Sequence, residues 1–368
     1  MDKKLNELDQ YRGLLKVHES FSSDAEYDNL NCLSYSKVKD VYDNPEVLFE
    51  ERKKDDSEWL IFGTLVDMML TDEEHLWDRI VVNDAVPTDQ MKKISEYIVA
   101  TYPTLEVIDL SDEQIEDCFT STGSASRWTA DTKRKKIFGD CAGYVRFLKT
   151  SVGKMVIPID MYDEAEAVAD VFRTNPNTKH LFMSERDQLL EHVEILYQFK
   201  IKYVLEELVC KSKIDIVYID HDEKTINLYD IKTGSDHPRN FMRHAIYKYK
   251  YGYQSSMYQL GFAKFLEKIP ELSTYKLNSF RFVYVSRIRP NYPVILNISN
   301  ECNREFLSFG VENSIYAIPS LIDVFEAADY YIKQIDLGEK PYVPFDLVKS
   351  KCEHTVSSTR DSKYAFWD

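Results

Sequence analysis

Hydrophobic and polar positions divide the chain near residue 190. Before that point apolar residues recur at spacings of three and four, which predicts helices; after it they alternate or run together in short β-branched stretches, which predicts strands. Residues 1–30 are polar and acidic and read as a helix with a loose lead-in. Ser34 or Ser36 is placed to cap a helix running to Asn44-Pro45, where proline ends or restarts it. After the charged run from Glu50 to Asp56, the segment Trp59 to Leu70 carries Leu60, Gly63, Asp67 and Leu70 on one stripe with mostly apolar neighbours, so this helix is expected to be buried on most sides. Further helical patterns cover Lys92 to Tyr102, Ser111 to Phe119, Thr129 to Lys149 and Tyr162 to Thr174. In the last, Ala165, Ala169 and Phe172 recur at the helical period and Asn175-Pro176 stops it.

Strand patterns follow at Glu191 to Lys202, Lys213 to Ile219, Thr225 to Ile231 and Phe280 to Ser286. A long helix, Arg239 to Glu267, separates the third from the fourth, and a final helix, Asn303 to Gln334, precedes a proline-containing tail. A hairpin, a helix and a further strand predict a mixed α/β core preceded by a large helical insertion. The expected organisation is a lead-in over 1–30, a helical layer over 31–185, a core over 186–300 and a C-terminal helix and tail over 301–368.

Composition narrows the class. The chain has 368 residues, enough for one enlarged domain or two close-packed ones, and 44% of them are hydrophobic. With 13% aromatic residues and only 11 glycines and 12 prolines, disordered, collagen-like and low-complexity classes are excluded. The formal charge of −16 argues against coating nucleic acid by bulk charge, so any phosphate-binding surface must be a local basic groove. No apolar region followed by a cleavage site opens the chain, and the apolar run from Trp59 to Leu70 is shorter than the roughly 20 residues a membrane span needs. A cytoplasmic protein without a membrane partner is expected. Cysteines at 32, 118, 141, 210, 302 and 352 are widely spaced, as in a reduced protein with buried thiols.

The chemistry concentrates between Lys211 and Asp236. His221 to Lys224 lies symmetrically between two strand patterns, so residues whose numbers sum to 445 face each other: 220 with 225, and 215 with 230. Asp215 then stands opposite Asp230, with Cβ atoms about 5 Å apart, and Lys232 shares their face by alternation. Two carboxylates opposed among apolar residues repel, and burial raises their pKa. A divalent cation between them removes that penalty, and hard oxygen ligands suit Mg²⁺ or Mn²⁺. Lys232 is then placed to orient or deprotonate a water, or to stabilise charge on a phosphate. The plain alternative for Asp230 and Lys232 is a surface ion pair.

The order Asp215, Asp230-Ile231-Lys232-Thr233-Gly234, Gln254-Ser255-Ser256-Met257-Tyr258 resembles the D, DxKTG, QxxxY series of PD-(D/E)XK nucleases of the RecB and RecE (exonuclease VIII) type. Gly63-Thr64-Leu65-Val66-Asp67 is similar to that group's GxxxH helix, and the likeness extends from about Leu33 to Val285. It implies a restriction-endonuclease-like α/β fold. It also implies metal ligation by Asp215, Asp230 and the Ile231 carbonyl, catalysis by Lys232, and contact of Gln254 and Tyr258, one helical turn apart, with that lysine or with DNA. Glu194 matches an acidic position of phage members and is a further candidate ligand. Asp67 stands where many members have histidine; it either ligates the metal or pairs within the helical layer. No iron-sulfur cluster is expected, because the cysteine spacings do not assemble four ligands.

Arg239, Arg243, Lys248 and Lys250 alternate with Tyr247, Tyr249, Tyr251 and Tyr253, a pattern that suits backbone tracking and base stacking along DNA. Lys133 to Lys136 form a second basic cluster, more often simply solvated. The resemblance implies an Mg²⁺-dependent DNA exonuclease, with Mn²⁺ as substitute, acting on linear duplex or single strands in phage or prophage recombination or replication. A strand-annealing recombination protein as partner and a homo-oligomer belong to the same implication. An endonuclease or flap nuclease of this fold, or a degenerate DNA-binding scaffold, is left open.

Overall fold

The computed structural model describes residues 11–49, 57–83, 88–124, 127–205, 207–308, 310–312, 317–341, 343 and 345. Residues 1–10, the charged run Glu50 to Asp56, Cys352 and most of the tail lie outside the described residues. The chain divides into two compact units, one formed by 1–71 and 168–368 and the other by 72–167, so the division falls inside the expected helical layer.

The larger unit is built on a six-stranded mixed sheet flanked by helices. Its strands in spatial order are β1 (Val193–Leu205), β2 (Leu208–Asp220), β3 (Thr225–Gly234), β4 (Arg281–Ser286) and β5 (Arg289–Asn297), with the short strand Lys276–Leu277 added beside the start of β3. β1 to β2 to β3 is an antiparallel meander, β3 and β4 are parallel, and β4 and β5 are antiparallel. The parallel pair requires a crossover, which two helices supply. Asp220 pairs with Thr225 and Ile216 with Tyr229, the register expected from the symmetric turn.

The relevant helices are α1 (Tyr35–Val41), α2 (Glu58–Thr71), α3 (Pro238–Tyr247), α4 (Tyr251–Leu266) and α5 (Leu321–Asp336). α2 packs on β2 and β3, and it buries Phe62, Leu65, Val66, Met68, Met69 and Leu70. α4 packs on β1 and β2, with Phe262 and Phe265 against Phe199. The expected single helix from Arg239 to Glu267 is interrupted: Lys250 takes a left-handed conformation, φ 53°, and separates α3 from α4. The expected helix from Asn303 to Gln334 is likewise two helices. Asn300–Ser308 is followed by the left-handed Gly310, and Ser320 starts α5 by accepting the Asp323 N–H. β5, which proline and polar residues disguise, was not expected.

The smaller unit pairs strands Ile80–Asn83 and Met155–Pro158 in parallel and has its own core around Ile94, Ile98, Phe119, Ile137 and Val145. Its basic cluster is paired with acids: Lys133 is buried against Glu116 at 2.6 Å, Arg134 meets Asp112, and Lys136 meets Asp140 at 2.5 Å. No helix among the described residues is long and apolar enough to cross a membrane. Of the five described cysteines, Cys118, Cys141 and Cys210 are buried, and burial pushes the Cys118 and Cys210 thiols up to about 12.

Candidate active site

β2 and β3 carry the two aspartates into one place. The backbone pairing runs to Ile216 opposite Tyr229, and at the next position the Asp215 Oδ2 accepts the Ile231 N–H at 2.7 Å. Asp230 is 2% exposed; Gln254 Nε2 of α4 donates to its Oδ1, and the Lys232 ammonium lies against its Oδ2. The Asp230 carboxylate is thus engaged at both oxygens, by the Gln254 amide and by the Lys232 ammonium. A buried carboxylate is costly unless it is paired and hydrogen-bonded in this way.

Burial raises the pKa of both aspartates above the usual carboxylate range. For Asp215 the neighbouring Asp230 and Asp67 add to the rise, whereas for Asp230 the Lys232 ammonium and the Gln254 amide oppose it. Burial also works against the charged form of Lys232, but Asp230, Tyr251 and Asp215 outweigh it and hold the amine above its ordinary value. Its ammonium sits 4.9 Å from the centre of the Tyr251 ring and 5.9 Å from that of Phe282. Asp67, on α2, belongs to the same charged group. Burial, reinforced by Asp230 against the pull of Lys213 and Lys232, pushes it up to about 6.

The expected residues do not all arrive here. Asp215, Asp230, Ile231, Lys232, Gln254, Tyr258 and Asp67 are brought together. Asp67, however, is engaged by Gln198, whose Nε2 donates to both carboxylate oxygens at 3.1 Å, and by Thr71 Oγ1 at 3.3 Å. Tyr258 is buried with its ring edge-on to Phe280 at 5.8 Å, and its hydroxyl faces the site: burial, Asp230 and Asp215 hold its pKa well above the ordinary value against a hydrogen bond with Gln254. Tyr251, three residues before Gln254 on the same helix face, supplies the ring against Lys232. Glu194 is corrected: it pairs across the sheet with Ile219, four residues along β2 from Asp215. Its carboxylate accepts the Gly13 N–H at 3.0 Å and lies 3.4 Å from His221 Nε2, away from the two aspartates. Of the expected DNA-binding residues, Arg239, Arg243 and Lys248 are exposed, but Lys250 is turned to the Lys39 carbonyl at 3.0 Å and Asp43 at 3.1 Å.

Two contributors were missed. Gln198 sits on β1 between residues paired with Ile216 and Ile214, so it stands beside Asp215 in the sheet, with a left-handed φ of 50°. The β1–β2 register would have shown the first fact; the conformation leaves no trace in sequence. Tyr251 was counted among the DNA-facing tyrosines, although its spacing from Gln254 already placed it on the site's face.

No group of three or more His, Cys, Asp or Glu among the described residues is gathered tightly enough to hold a metal ion as it stands. A hard divalent cation that keeps most of its waters needs only one or two carboxylates. Asp215 and Asp230, on neighbouring strands, fit that requirement. A cavity of about 440 Å³ in this unit, among Arg173, Lys179, His180, Phe182 and Asp187, is lined by none of these residues.

Fold and site together define a mixed α/β protein with a centre of two aspartates and one lysine, of which Asp230 is buried and Asp215 and Lys232 are partly exposed. No family model matches the chain, and no curated protein matches it. Among solved structures, a "Putative exonuclease" from Eubacterium rectale aligns over 92% of this chain and 94% of its own at 11% identity, with a TM-score of 0.43. A Vibrio cholerae protein aligns over 80% of this chain and 60% of its own at 12% identity, with a TM-score of 0.14. Both likenesses are too loose to bear on function, which is read from the side chains.

Proposed function

We propose that this chain is a divalent-metal-dependent nuclease that hydrolyses DNA phosphodiester bonds, acting from ends as an exonuclease. The observation that carries the reading is the buried Asp230 carboxylate, held by the Gln254 amide and the Lys232 ammonium, with the Asp215 carboxylate on the neighbouring strand accepting the Ile231 N–H. Mg²⁺, or Mn²⁺ in its place, would be held by Asp215, Asp230 and the Ile231 carbonyl, and when bound it supplies Lewis-acid polarisation of the phosphate and a nucleophilic water at neutral pH. Lys232 brings a fixed positive charge to the non-bridging phosphate oxygen where negative charge builds up. Gln254 fixes the rotamer of Asp230, and Tyr251 with Phe282 confines the lysine. Asp67, tied to Gln198, adds a carboxylate at the edge of the site. Arg239, Arg243 and Lys248 are exposed for contact with the DNA backbone. The motif order Asp215, DxKTG, QxxxY supports the exonuclease assignment, and the phage recombination setting, a strand-annealing partner and a homo-oligomer follow from the same resemblance as proposals.

The test is digestion of end-labelled linear duplex and of closed circular DNA with Mg²⁺ or Mn²⁺, beside Asp230→Ala and Lys232→Ala. The wild type should degrade the linear substrate, and each variant should lose about 10²-fold or more. Equal rates in all three proteins, or no cleavage by the wild type with either metal, would overturn the assignment. Cutting of the closed circle would make the protein an endonuclease on the same site.

A further inference from the structure

α2 connects the carboxylate centre to an exposed aromatic platform. Asp67 lies toward its C-terminal end; Gly63 and Trp59 follow at four-residue steps on the same stripe. Gly63 lets the helix lie against the end of β3, since a Cβ there would come 3.2 Å from Thr233 Oγ1. At the helix start, Trp59 is 54% exposed although its ring is held in place. The Arg287 guanidinium sits 5.0 Å from the Trp59 ring centre and 4.4 Å from that of the buried Phe62. Arg287 is itself fixed: its Nη1 meets Glu58 Oε1 at 2.9 Å and its backbone N–H donates to the Gly234 carbonyl at 2.7 Å, two residues past Lys232.

Burying one indole against a cation while more than half of it faces solvent is a poor structural clip. A clip would gain most by burying the whole ring. It is the arrangement of a stacking surface, with a rigid aromatic backed by a guanidinium that also supplies positive charge. Eight helical residues separate Trp59 from Asp67, about 12 Å along the axis, or three to four nucleotides at about 3.4 Å per stacked step. Leu60 and Ile288, both more than half exposed, continue the apolar rim beside Trp59 and Arg287 in sequence.

We propose that Trp59, backed by Arg287, is a nucleobase-stacking platform that holds an unpaired base of single-stranded DNA a few nucleotides from the bond to be cut. This rests on the nuclease reading for its substrate, but binding can be measured without cleavage. The probe is a short single-stranded oligodeoxythymidylate in EDTA, followed by quenching of intrinsic fluorescence and by fluorescence anisotropy. Wild type and Asp230→Ala should both bind with quenching. Trp59→Ala should lose roughly 5- to 150-fold in affinity, the range for one stacked base. Trp59→Phe, which keeps a ring over Arg287, should recover part of the affinity while the quench disappears; it also answers for the alanine variant should that fail to fold. Wild-type affinity in a folded Trp59→Ala, or an undiminished quench in Trp59→Phe, would sink the proposal. Failure of the nuclease reading shows separately, as undiminished cleavage by Asp230→Ala.

Discussion

A single glutamine shows how the site is held. Gln198 adopts a left-handed backbone that costs a non-glycine residue of order 1–3 kcal/mol, and it spends its amide on Asp67 and on Thr71 Oγ1 at 2.8 Å. Asp67 is otherwise hydrogen-bonded only by Thr71 among the contacts described, so the glutamine keeps a half-buried carboxylate beside Asp215 and Asp230. Replacing it should therefore separate geometry from stability. Gln198→Ala and Gln198→Gly should both lower cleavage by about 10- to 100-fold, with a higher Mg²⁺ requirement, as for other residues that orient ligands. The glycine variant should be the more stable of the two by about 1 kcal/mol, because it removes the left-handed penalty that alanine keeps. Urea midpoints and initial rates check both halves. Wild-type rates in both variants would show that the tether does nothing for the chemistry.

At the scale of elements, α4 lies against its neighbours through glycine. A Cβ on Gly261 would fall 2.4 Å from the Tyr203 ring, which is buried and hydrogen-bonded to Ser212 at 2.8 Å; one on Gly252 would fall 2.4 Å from the Phe306 ring. Alanine in a helix is intrinsically better than glycine by about 1 kcal/mol, yet here overpacking should win. Gly261→Ala and Gly252→Ala are each expected to lose about 1–3 kcal/mol in urea unfolding. Gly143→Ala, in a helix with nothing within 4 Å of its Cβ, should gain up to about 1 kcal/mol. The opposed signs identify contact, not propensity, as the cause. Much of this layer was legible in sequence. The β2–β3 register followed from the symmetry of a short turn, and it placed Asp215 and Asp230 together with Lys232 alongside. Glu194 was misplaced because its neighbours are fixed by the β1–β2 pairing, whose turn between Leu205 and Leu208 carries no Asn-Gly or Asp-Gly signal and uses a left-handed Glu207 instead. The break at Lys250 escaped for the same reason: a left-handed lysine has no sequence signature, and the apolar period runs straight across it.

The whole molecule carries a charge of −16, so the DNA binding proposed for it would depend on where its cations point rather than on how many there are. Of the four basic residues in the Arg239–Lys250 stretch, Lys250 is taken up by Asp43 and the Lys39 carbonyl, while Arg239 and Arg243 are exposed on α3. Lys133, Arg134 and Lys136 are balanced by acids within their own unit. If the exposed pair meets the DNA backbone, each residue neutralises a phosphate and releases counterions. Arg239→Ala and Arg243→Ala should then each reduce the slope of log affinity against log salt by about 1, measured by anisotropy with duplex DNA in EDTA. Lys250→Ala should leave the slope unchanged and show its effect in stability instead, since it removes a contact between the α3–α4 break and the α1 region. A slope that falls for Lys250→Ala and not for the two arginines would place the DNA path on a different face and would remove α3 from the binding surface.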